Sequence, residues 1–247
     1  MSPIITVILI ICVILLVVFI IRYTMGNSYT LQDGVRNGRD LMTFQASSLA
    51  NIGSDVPSSN FAYSVWFYVN DWNYRYGEAK VLFGRMGALS SSKISGLGVA
   101  GSDPCPLVQF GSNANDLEIF MTTFSTTSTT QPPFKCHVSN IPIQRWVNLS
   151  ISVYGRTLDV YLNGKLVKTC VMNGTVKVKN DAAVSLTPNG GFEGWTSKFA
   201  YYPMPMNPQD AWEIYTKGPT GFMSGMSAYQ VQLALMNNGQ TISSASI

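Results

Sequence analysis

The chain has 247 residues, of which 46% are apolar and 12% aromatic, while only 12% are charged. This composition excludes a disordered chain, and its many Gly, Pro, Ser, Thr and Asn residues favour strands and turns, so we expect an all-β protein. The net charge of +3 is spread thinly and forms no dense basic stripe, so we expect no nucleic-acid partner.

An uninterrupted apolar run lies near the start of the chain, between Ile4 and Ile21, and Arg22 ends it. A helix of this length measures about 27 Å, which is enough to cross the hydrocarbon core of a thin bilayer. The alternative is a cleaved signal peptide, which needs a basic start and a small-residue cleavage site that this run lacks. Residues 1–22 therefore predict a retained transmembrane anchor.

The charges around the anchor predict its orientation. Arg22, Arg36 and Arg39 follow the apolar run and no Lys or Arg precedes it. The positive-inside rule then places the N-terminus across the membrane and the rest of the chain on the cytosolic side, so we expect a single-pass membrane protein. Two sequons, at Asn148 and Asn173, would accept a glycan only in the lumen of the secretory pathway, and they therefore test this orientation.

A polar segment rich in Gly, Asn and Ser extends from residue 23 to residue 60. We expect a connector arm with one short strand near residues 41–44, followed by a folded body at residues 61–218. Residues 61–70 carry bulky side chains on both alternating faces, which is typical of a central strand in a β-sandwich. Residues 80–85 predict the next strand.

The middle of the body alternates strands with short turns. A loop at residues 112–116 separates two strands of one hairpin. Residues 145–154 place apolar side chains on one face and Asn or Ser on the other, which predicts a half-exposed strand. Asn163 and Gly164 then join two further strands, because both residues accept the positive φ angles of a type I′ turn.

A helix is predicted at residues 207–218, at the end of the body. Asn207 is a suitable N-cap, Pro208 fits the first helical position, and Gly218 ends the helix. Its apolar face, which we expect to pack on the sandwich, consists of Ala211, Trp212 and Tyr215.

The tail, residues 219–247, has a pattern of its own. Apolar residues alternate with Gln from Tyr229 to Leu235, and a turn sequence follows, which predicts a β-ribbon. The ribbon either joins the domain's own sheet or extends the sheet of a neighbouring subunit by strand addition. We favour pairing with a neighbour.

The cysteines agree with a cytosolic domain. Cys12 lies in the apolar run, and Cys105, Cys136 and Cys170 show no metal-binding spacing, with His137 as the single histidine. We therefore expect no zinc site. Free thiols are favoured on the cytosolic side, and the alternative is a disulfide between Cys105 and Cys136.

Two groups of loop residues are candidate binding sites. The aromatic loop that follows residues 61–70 could stack on sugar rings, or else pack on a partner protein or its own sheet; its rings are Trp72, Tyr74 and Tyr76. Oxygen-bearing loop residues are the candidates for calcium, although they form no acidic cluster, so no cofactor is expected. These weak candidates are Asp71, Asn115 and Asp116.

Enzymatic chemistry is not expected. Asp116 and Glu118 share one face of a predicted strand, but no third carboxylate continues the pattern, and an isolated pair of this kind is usually solvated. Retaining glycoside hydrolysis needs two carboxyl groups about 5 Å apart. No serine nucleophile motif or phosphate-binding loop occurs in the sequence either.

The order of several motifs supports a more specific fold. They are "FAYSVWFYVND", "KVLFGR", "IQRWVNLSISVYGRTLDVYLNGKLVKT", "GGFEGWTSKFAYY" and "MNPQDAWEIYTKG". Their order over residues 61–218 resembles the concanavalin A-like, laminin-G type antiparallel β-sandwich, a jelly-roll fold. The resemblance implies one short helix at the end of the sandwich.

The anchor, sandwich and β tail together resemble membrane-anchored laminin-G-like virion proteins of large icosahedral double-stranded DNA viruses. The resemblance implies a non-enzymatic minor capsid protein whose partners are a lipid membrane and capsid proteins of the same particle. The domain would then lie between the inner virion membrane and the capsid shell. The alternative is a membrane-anchored, lectin-like module that binds carbohydrate through the aromatic loop.

Overall fold

The computed structural model describes residues 12–17, 29–50, 59–87, 97–124, 132–220, 232–237 and 240–246. Residues 12–17 are helical. The strands, in chain order, are β1 (Thr30–Asn37), β2 (Met42–Phe44), β3 (Phe61–Asp71), β4 (Lys80–Arg85), β5 (Leu107–Phe110), β6 (Leu117–Met121), β7 (Phe134–Val138), β8 (Trp146–Tyr154), β9 (Thr157–Leu162), β10 (Lys165–Val171), β11 (Val184–Leu186), β12 (Glu193–Tyr202), β13 (Gln232–Asn237) and β14 (Gln240–Ser246). The helices with defined bounds are α1 (Ala46–Ala50) and α2 (Pro208–Thr216).

Two six-stranded antiparallel sheets pack face to face. Sheet A has the strand order β1-β12-β3-β8-β9-β10, and sheet B has the order β2-β11-β4-β5-β6-β7. Inward-facing side chains from both sheets form one continuous buried core, with contributions such as Phe67 from β3 and Ile119 from β6. The expected all-β sandwich is therefore confirmed.

The central position of β3 is also confirmed, since it lies between β12 and β8. Strand β8 differs from the half-exposed strand that was expected, because its polar residues are buried as well. Asn148 donates from Nδ2 to Ser64 Oγ at 3.1 Å, and Ser152 Oγ accepts the backbone N–H of Met206 at 2.8 Å. The segment after β12 covers these polar side chains, which a strand-by-strand analysis cannot anticipate.

The hairpin at Asn163-Gly164 is confirmed. The two residues have φ angles of 51° and 73°, and they join β9 to β10 in an antiparallel pair. The turn also supports α2, because a Cβ on Gly164 would lie 3.0 Å from Trp212 Cα. Only glycine permits this approach of helix and turn.

The predicted connector arm is wrong in its extent. The short strand near residues 41–44 exists as β2, but β1 also lies in this segment and pairs with β12. The sandwich therefore begins at Thr30 rather than at Phe61. Strand β1 escaped prediction because it is a mostly exposed edge strand with irregular register, so it has no clear apolar alternation.

Helix α2 starts as predicted. Asn207 Oδ1 accepts the N–H of Asp210 at 3.0 Å, and the Asp210 carboxylate accepts the N–H of Asn207, which completes a capping box. Its apolar face is only partly as expected. Ala211 is fully buried, but Trp212 is 44% exposed.

The cysteine predictions are wrong for one pair. Cys136 on β7 forms a disulfide with Cys170 on β10, whereas Cys105 is a buried free thiol. The bond therefore joins an edge strand of sheet B to an edge strand of sheet A. The alternative, a disulfide between Cys105 and Cys136, is therefore wrong. The expectation of free thiols is wrong for Cys136 and Cys170. The partners are distant in sequence, so spacing could not reveal them.

The predicted anchor, with its ends Ile4, Ile21 and Arg22, lies largely outside the described residues. Of the apolar run, residues 12–17 are described, and their side chains are exposed, with Val13 to Val17 between 45% and 63% accessible. Among the residues that the structure describes, no helix is both long and apolar enough to span a bilayer.

The predicted terminal ribbon is confirmed. Strands β13 and β14 pair with each other in an antiparallel, two-stranded sheet. Within the described ranges this ribbon is separate from sheets A and B. In the described residues, β13 and β14 therefore do not pair with any strand of sheet A or sheet B.

Candidate binding surface on sheet B

Two open cavities lie side by side on the outer face of sheet B. The first, which we name the polar cleft, has a volume of about 640 Å³, and its polar lining includes Arg75, Gln109, Ser112, Glu118, Lys135 and Asn189. The second, the apolar cleft, has a volume of about 830 Å³ and is lined by residues including Leu41, Met86, Val99, Ala182 and Pro188. Asn189 contributes to both cavities.

A short crossing segment, residues 97–100, separates the two clefts. Gly98 lines the polar cleft and Val99 lines the apolar cleft. Leu97 and Val99 are buried against apolar side chains that sheet B directs outward, namely Val81, Leu107 and Phe120. The segment thus covers the apolar middle of the outer face and leaves a cleft on each side.

Hydrogen bonds to Gly98 hold the crossing segment in place. Its N–H donates to Gln109 Oε1 at 2.9 Å, and its carbonyl accepts from Asn189 Nδ2 at 2.8 Å. A Cβ at this position would lie 2.7 Å from the carbonyl oxygen of Ala79, so the close approach to the sheet requires glycine.

The floor of the polar cleft is a row of polar side chains on three neighbouring strands. Gln109 on β5 donates from Nε2 to Glu118 on β6 at 2.9 Å, and Lys135 on β7 forms an ion pair with the other oxygen of Glu118. The Lys135 ammonium also lies 5.7 Å from the ring centre of Phe120. An amide, a carboxylate and an ammonium in one row can pair with the hydroxyl groups of a polyhydroxylated ligand.

The predicted aromatic loop does not form a row of exposed rings. Trp72 is half-buried and lies edge-on to the core residue Phe110, with 6.1 Å between ring centres. Tyr74 is half-buried and donates its hydroxyl to the carbonyl of Gly190 at 3.0 Å. Tyr76 is 61% exposed. Two of the three rings therefore pack on their own domain, which was one of the alternatives considered.

The calcium candidates already have protein partners. Asp71 Oδ1 accepts a backbone N–H of its own loop at 2.9 Å, and Asn115 donates to a backbone carbonyl at 2.9 Å. Asp116 Oδ2 lies 3.0 Å from Nε2 of His137. The described part of the chain contains no group of three or more His, Cys, Asp or Glu arranged to hold a metal. The expectation that the chain has no cofactor stays a prediction, with these three residues as weak calcium candidates.

The two carboxylates that share a face of β6 each face a basic partner on β7. Asp116 contacts His137, and Glu118 contacts Lys135. Because these strands are paired, the Glu118–Lys135 ion pair and the Asp116–His137 contact both link β6 and its preceding loop to β7 and so support sheet B. The absence of enzymatic activity stays a prediction.

Lys80 and Cys105 are buried titratable groups, and the sequence analysis missed the burial of the first. Lys80 is fully buried, and its ammonium lies 4.6 Å from the ring centre of Trp72 without a hydrogen-bond partner among the described residues. Burial, and next the charge of Arg75, lower the pKa of Lys80 below its ordinary value. Burial likewise raises the pKa of the Cys105 thiol to about 12, which keeps it protonated. A lysine within an apolar strand was the available signal for the first group.

Comparisons with known proteins support the fold. No family model and no curated protein matches the sequence. Among solved structures, the chain resembles the receptor-binding domain of botulinum neurotoxin mosaic serotype C/D, at a TM-score of 0.50 and 11% identity over 78% of this chain and 51% of that one. It also resembles the HCR/D W1238A mutant, at a TM-score of 0.51 and 10% identity over 77% of this chain and 52% of that one.

Two further neighbours were solved with ligands. They are the binding domain of botulinum neurotoxin DC in complex with rat synaptotagmin II, at 11% identity, and with SialylT, at 10% identity. Each has a TM-score of 0.50, and the alignment covers 75% of this chain and 45% of that one. The chain thus spans about half the length of these domains, and the likeness shows a shared β-sandwich fold.

Proposed function

We propose that this chain is a non-enzymatic, membrane-tethered binding protein. Its N-terminal apolar run anchors it, and its sandwich and tail bind other proteins. In the finer form of the proposal, the chain is a minor capsid protein of a large DNA virus, and it joins the inner membrane of the particle to the capsid shell.

The observation that carries the proposal is the helical segment at residues 12–17. Its large apolar side chains are exposed, with Leu15 at 63% and Leu16 at 58%. A helix that is apolar all round and that no other described segment covers is typical of a membrane span. The predicted run from Ile4 to Ile21 has the required length.

Two features fit attachment to a capsid shell. The apolar cleft can receive apolar side chains of a partner protein, and the separate ribbon β13–β14 can add strands to a partner's sheet. The disulfide between Cys136 and Cys170 is typical of proteins outside the reducing cytosol, so in a cytosol-facing domain it has to form after the particle leaves that compartment. The combination of the N-terminal apolar run, the sandwich and the β tail resembles membrane-anchored laminin-G-like virion proteins.

Purified virus particles provide the test. An antibody against the sandwich should detect the chain in intact particles. After mild detergent removes lipid, the chain should sediment with the shell, whereas high salt plus detergent should release it. Absence from particles, or complete release with the lipid alone, would contradict a link between membrane and shell.

The orientation has a separate test in the two sequons. Asn148 is fully buried, so it cannot accept a glycan in the folded domain, whereas Asn173 is exposed in a turn. We expect no glycosidase-sensitive shift in gel mobility for the full chain in eukaryotic cells, because the proposed domain faces the cytosol. A shift that Asn173→Gln abolishes and Asn148→Gln leaves intact would reverse the orientation.

Carbohydrate binding is the second candidate function, and the polar cleft is the observation that favours it. Gln109, Glu118 and Lys135 present hydrogen-bonding groups on one face of sheet B. A glycan array with the full chain should show binding that Lys135→Met and Glu118→Gln abolish. Tyr76→Ser, in the rim loop, is the matched control for the aromatic loop. Trp72→Ala is unsuitable, since Trp72 packs on the core.

A further inference from the structure

The tryptophans are concentrated on one surface of the sandwich. Four of the five lie on the outer side of sheet A, where Trp66, Trp146 and Trp195 project from its strands and Trp212 projects from α2. The fifth, Trp72, packs against the core. A uniform spread over the surface would not produce this arrangement, so the outer side of sheet A requires an explanation.

One row of rings crosses three neighbouring strands. Tyr68 on β3 pairs in register with Trp195 on β12 and with Trp146 on β8. Its ring centre is 5.4 Å from that of Trp195 and 5.9 Å from that of Trp146. Trp195 is 39% exposed. Cross-strand contact thus holds the rings in fixed positions at the surface.

The aromatic surface continues onto α2. Tyr215 stacks on Trp66, with ring centres 5.7 Å apart, and Trp212 lies 5.5 Å from Tyr215. Trp66 is buried and Tyr215 is half-buried in this contact, whereas Trp212 remains 44% exposed. Gly164 lies directly beneath the helix and fixes its height above the sheet.

Two exposed aliphatic residues belong to the same side. Val35 on β1 is 48% exposed and pairs with Ser197, and Met204 is 50% exposed beside α2. We name the combined surface the tryptophan face; it consists of Val35, Tyr68, Trp146, Trp195, Met204 and Trp212. Exposed large apolar groups grouped in this way mark an interaction surface.

The chain enters the sandwich on this same face. The ring of Tyr29, immediately before β1, lies 5.0 Å from that of Tyr202, and both rings line one cavity with Met204. From Ile21, the predicted end of the anchor, to Tyr29 a fully extended chain spans at most about 28 Å. A domain of this size is about 40 Å across. The entry corner therefore stays close to the bilayer surface.

We propose that the tryptophan face rests in the headgroup region of the bilayer to which the chain is anchored. Trp and Tyr favour this region because their rings are apolar and their N–H and O–H groups reach water. The proposal rests on the anchor in the proposed function. It turns sheet B, with both clefts, away from the lipid and toward a partner.

Tryptophan fluorescence in liposomes provides the test. Residues 1–28 contain no Trp, so the full chain emits only from the sandwich. The full chain is reconstituted into phosphatidylcholine vesicles, with and without lipids brominated near the headgroup end of the acyl chain. We expect bromine to quench about one third or more of the emission, because two of the five tryptophans are well exposed on this face.

Variants assign the quenched emission to its source. Trp195→Phe combined with Trp212→Phe should remove most of the lipid-dependent quenching. Trp72→Phe is the matched control, because it removes a core tryptophan and should leave the quenched emission unchanged. Circular dichroism checks that all variants keep the β-sheet signal.

The possible outcomes distinguish failure of the membrane-facing surface from failure of the membrane tether. If the chain floats with the vesicles and resists carbonate extraction but shows no bromine quenching, the tether stands and the membrane-facing surface is overturned. The membrane-facing surface is also overturned, and the tether stands, if bromine still quenches the emission of the variant that lacks Trp195 and Trp212. If Trp195 and Trp212 become protected only when capsid protein is added, the face binds protein instead. If the chain does not float, the tether and the surface both fail.

Discussion

The two outer faces of the sandwich differ in chemistry although they belong to the same core. Sheet A and the helix α2 that partly covers it carry four tryptophans, whereas sheet B carries a row of amide, carboxylate and ammonium groups beside an apolar cleft. The alternation of side chains along each strand makes this difference possible, because one face fills the core and the other is free to vary. Binding chemistry is therefore encoded in the outward-facing positions.

The cover over each face also differs. On sheet A, α2 packs through Ala211. The exposed tryptophans of this face lie beside the area that the helix covers. On sheet B, the crossing segment at residues 97–100 covers only the middle and leaves a cleft on each side. A helix with a capping box is a rigid cover, whereas the crossing segment depends on two hydrogen bonds to Gly98. We expect sheet B to adapt more readily to a ligand.

The largest expected loss of stability comes from removing the disulfide that joins the two sheets. Replacing Cys136 and Cys170 together by Ser removes the bond between the edge strands β7 and β10, which closes a loop of sequence separation 34. We expect unfolding to become easier by about 3–4 kcal/mol in urea titration, chiefly because the unfolded chain gains freedom. Cys12→Ser is the control and should have no effect on the sandwich. An equal midpoint for the double variant and the control would show that the disulfide contributes nothing.

A smaller effect is expected at the turn beneath α2. Gly164→Ala places a Cβ 3.0 Å from Trp212 Cα and 3.1 Å from Tyr215 Cβ, at a positive φ of 73°. Strain and displacement of the helix should together cost about 2–3 kcal/mol in thermal unfolding. Gly155→Ala is the matched control, since it has a positive φ of 58° but no atom within 4 Å. It should cost only about 1 kcal/mol. Equal losses would mean that α2 does not depend on the turn.

These two sites show how far the sequence predicts the fold. The Asn163-Gly164 turn and the cap at Asn207 are predictable because their chemistry is local. The pairing of Cys136 with Cys170 is not, because it depends on which strands become the edges of two sheets. The same limit applies to the polar cleft, whose residues come from separate segments, from Arg75 to Asn189. The sequence analysis placed Trp212 on the apolar face of α2, which was expected to pack on the sandwich. The spacing of apolar residues along a helix does not show how much of that face the underlying sheet can cover.

A third prediction concerns the buried ammonium behind Trp72. Because burial lowers the pKa of Lys80 from its ordinary 10.5, the unfolded state binds more protons at this residue, and the contribution of Lys80 to stability should rise with pH toward that value. Lys80→Met keeps the packing and removes the desolvation cost, so we expect it to stabilise the fold by about 1 kcal/mol at pH 7 and to flatten the rise. Destabilisation by Lys80→Met would indicate that the ammonium has a partner.

The smallest effect is expected on the polar cleft. Glu118→Gln removes the ion pair with Lys135 but keeps a group that can accept from Gln109. Because Lys135 is largely exposed, the pair should contribute less than about 1 kcal/mol to unfolding. Asp116→Asn, at the neighbouring contact with His137, is the matched control and should behave alike. A loss of several kcal/mol for Glu118→Gln would make the polar row a structural device of sheet B. A negligible loss of stability would mean that the polar row is not needed to hold sheet B together. Its groups are then available to bind a ligand, which is the role that distinguishes this face from the tryptophan face.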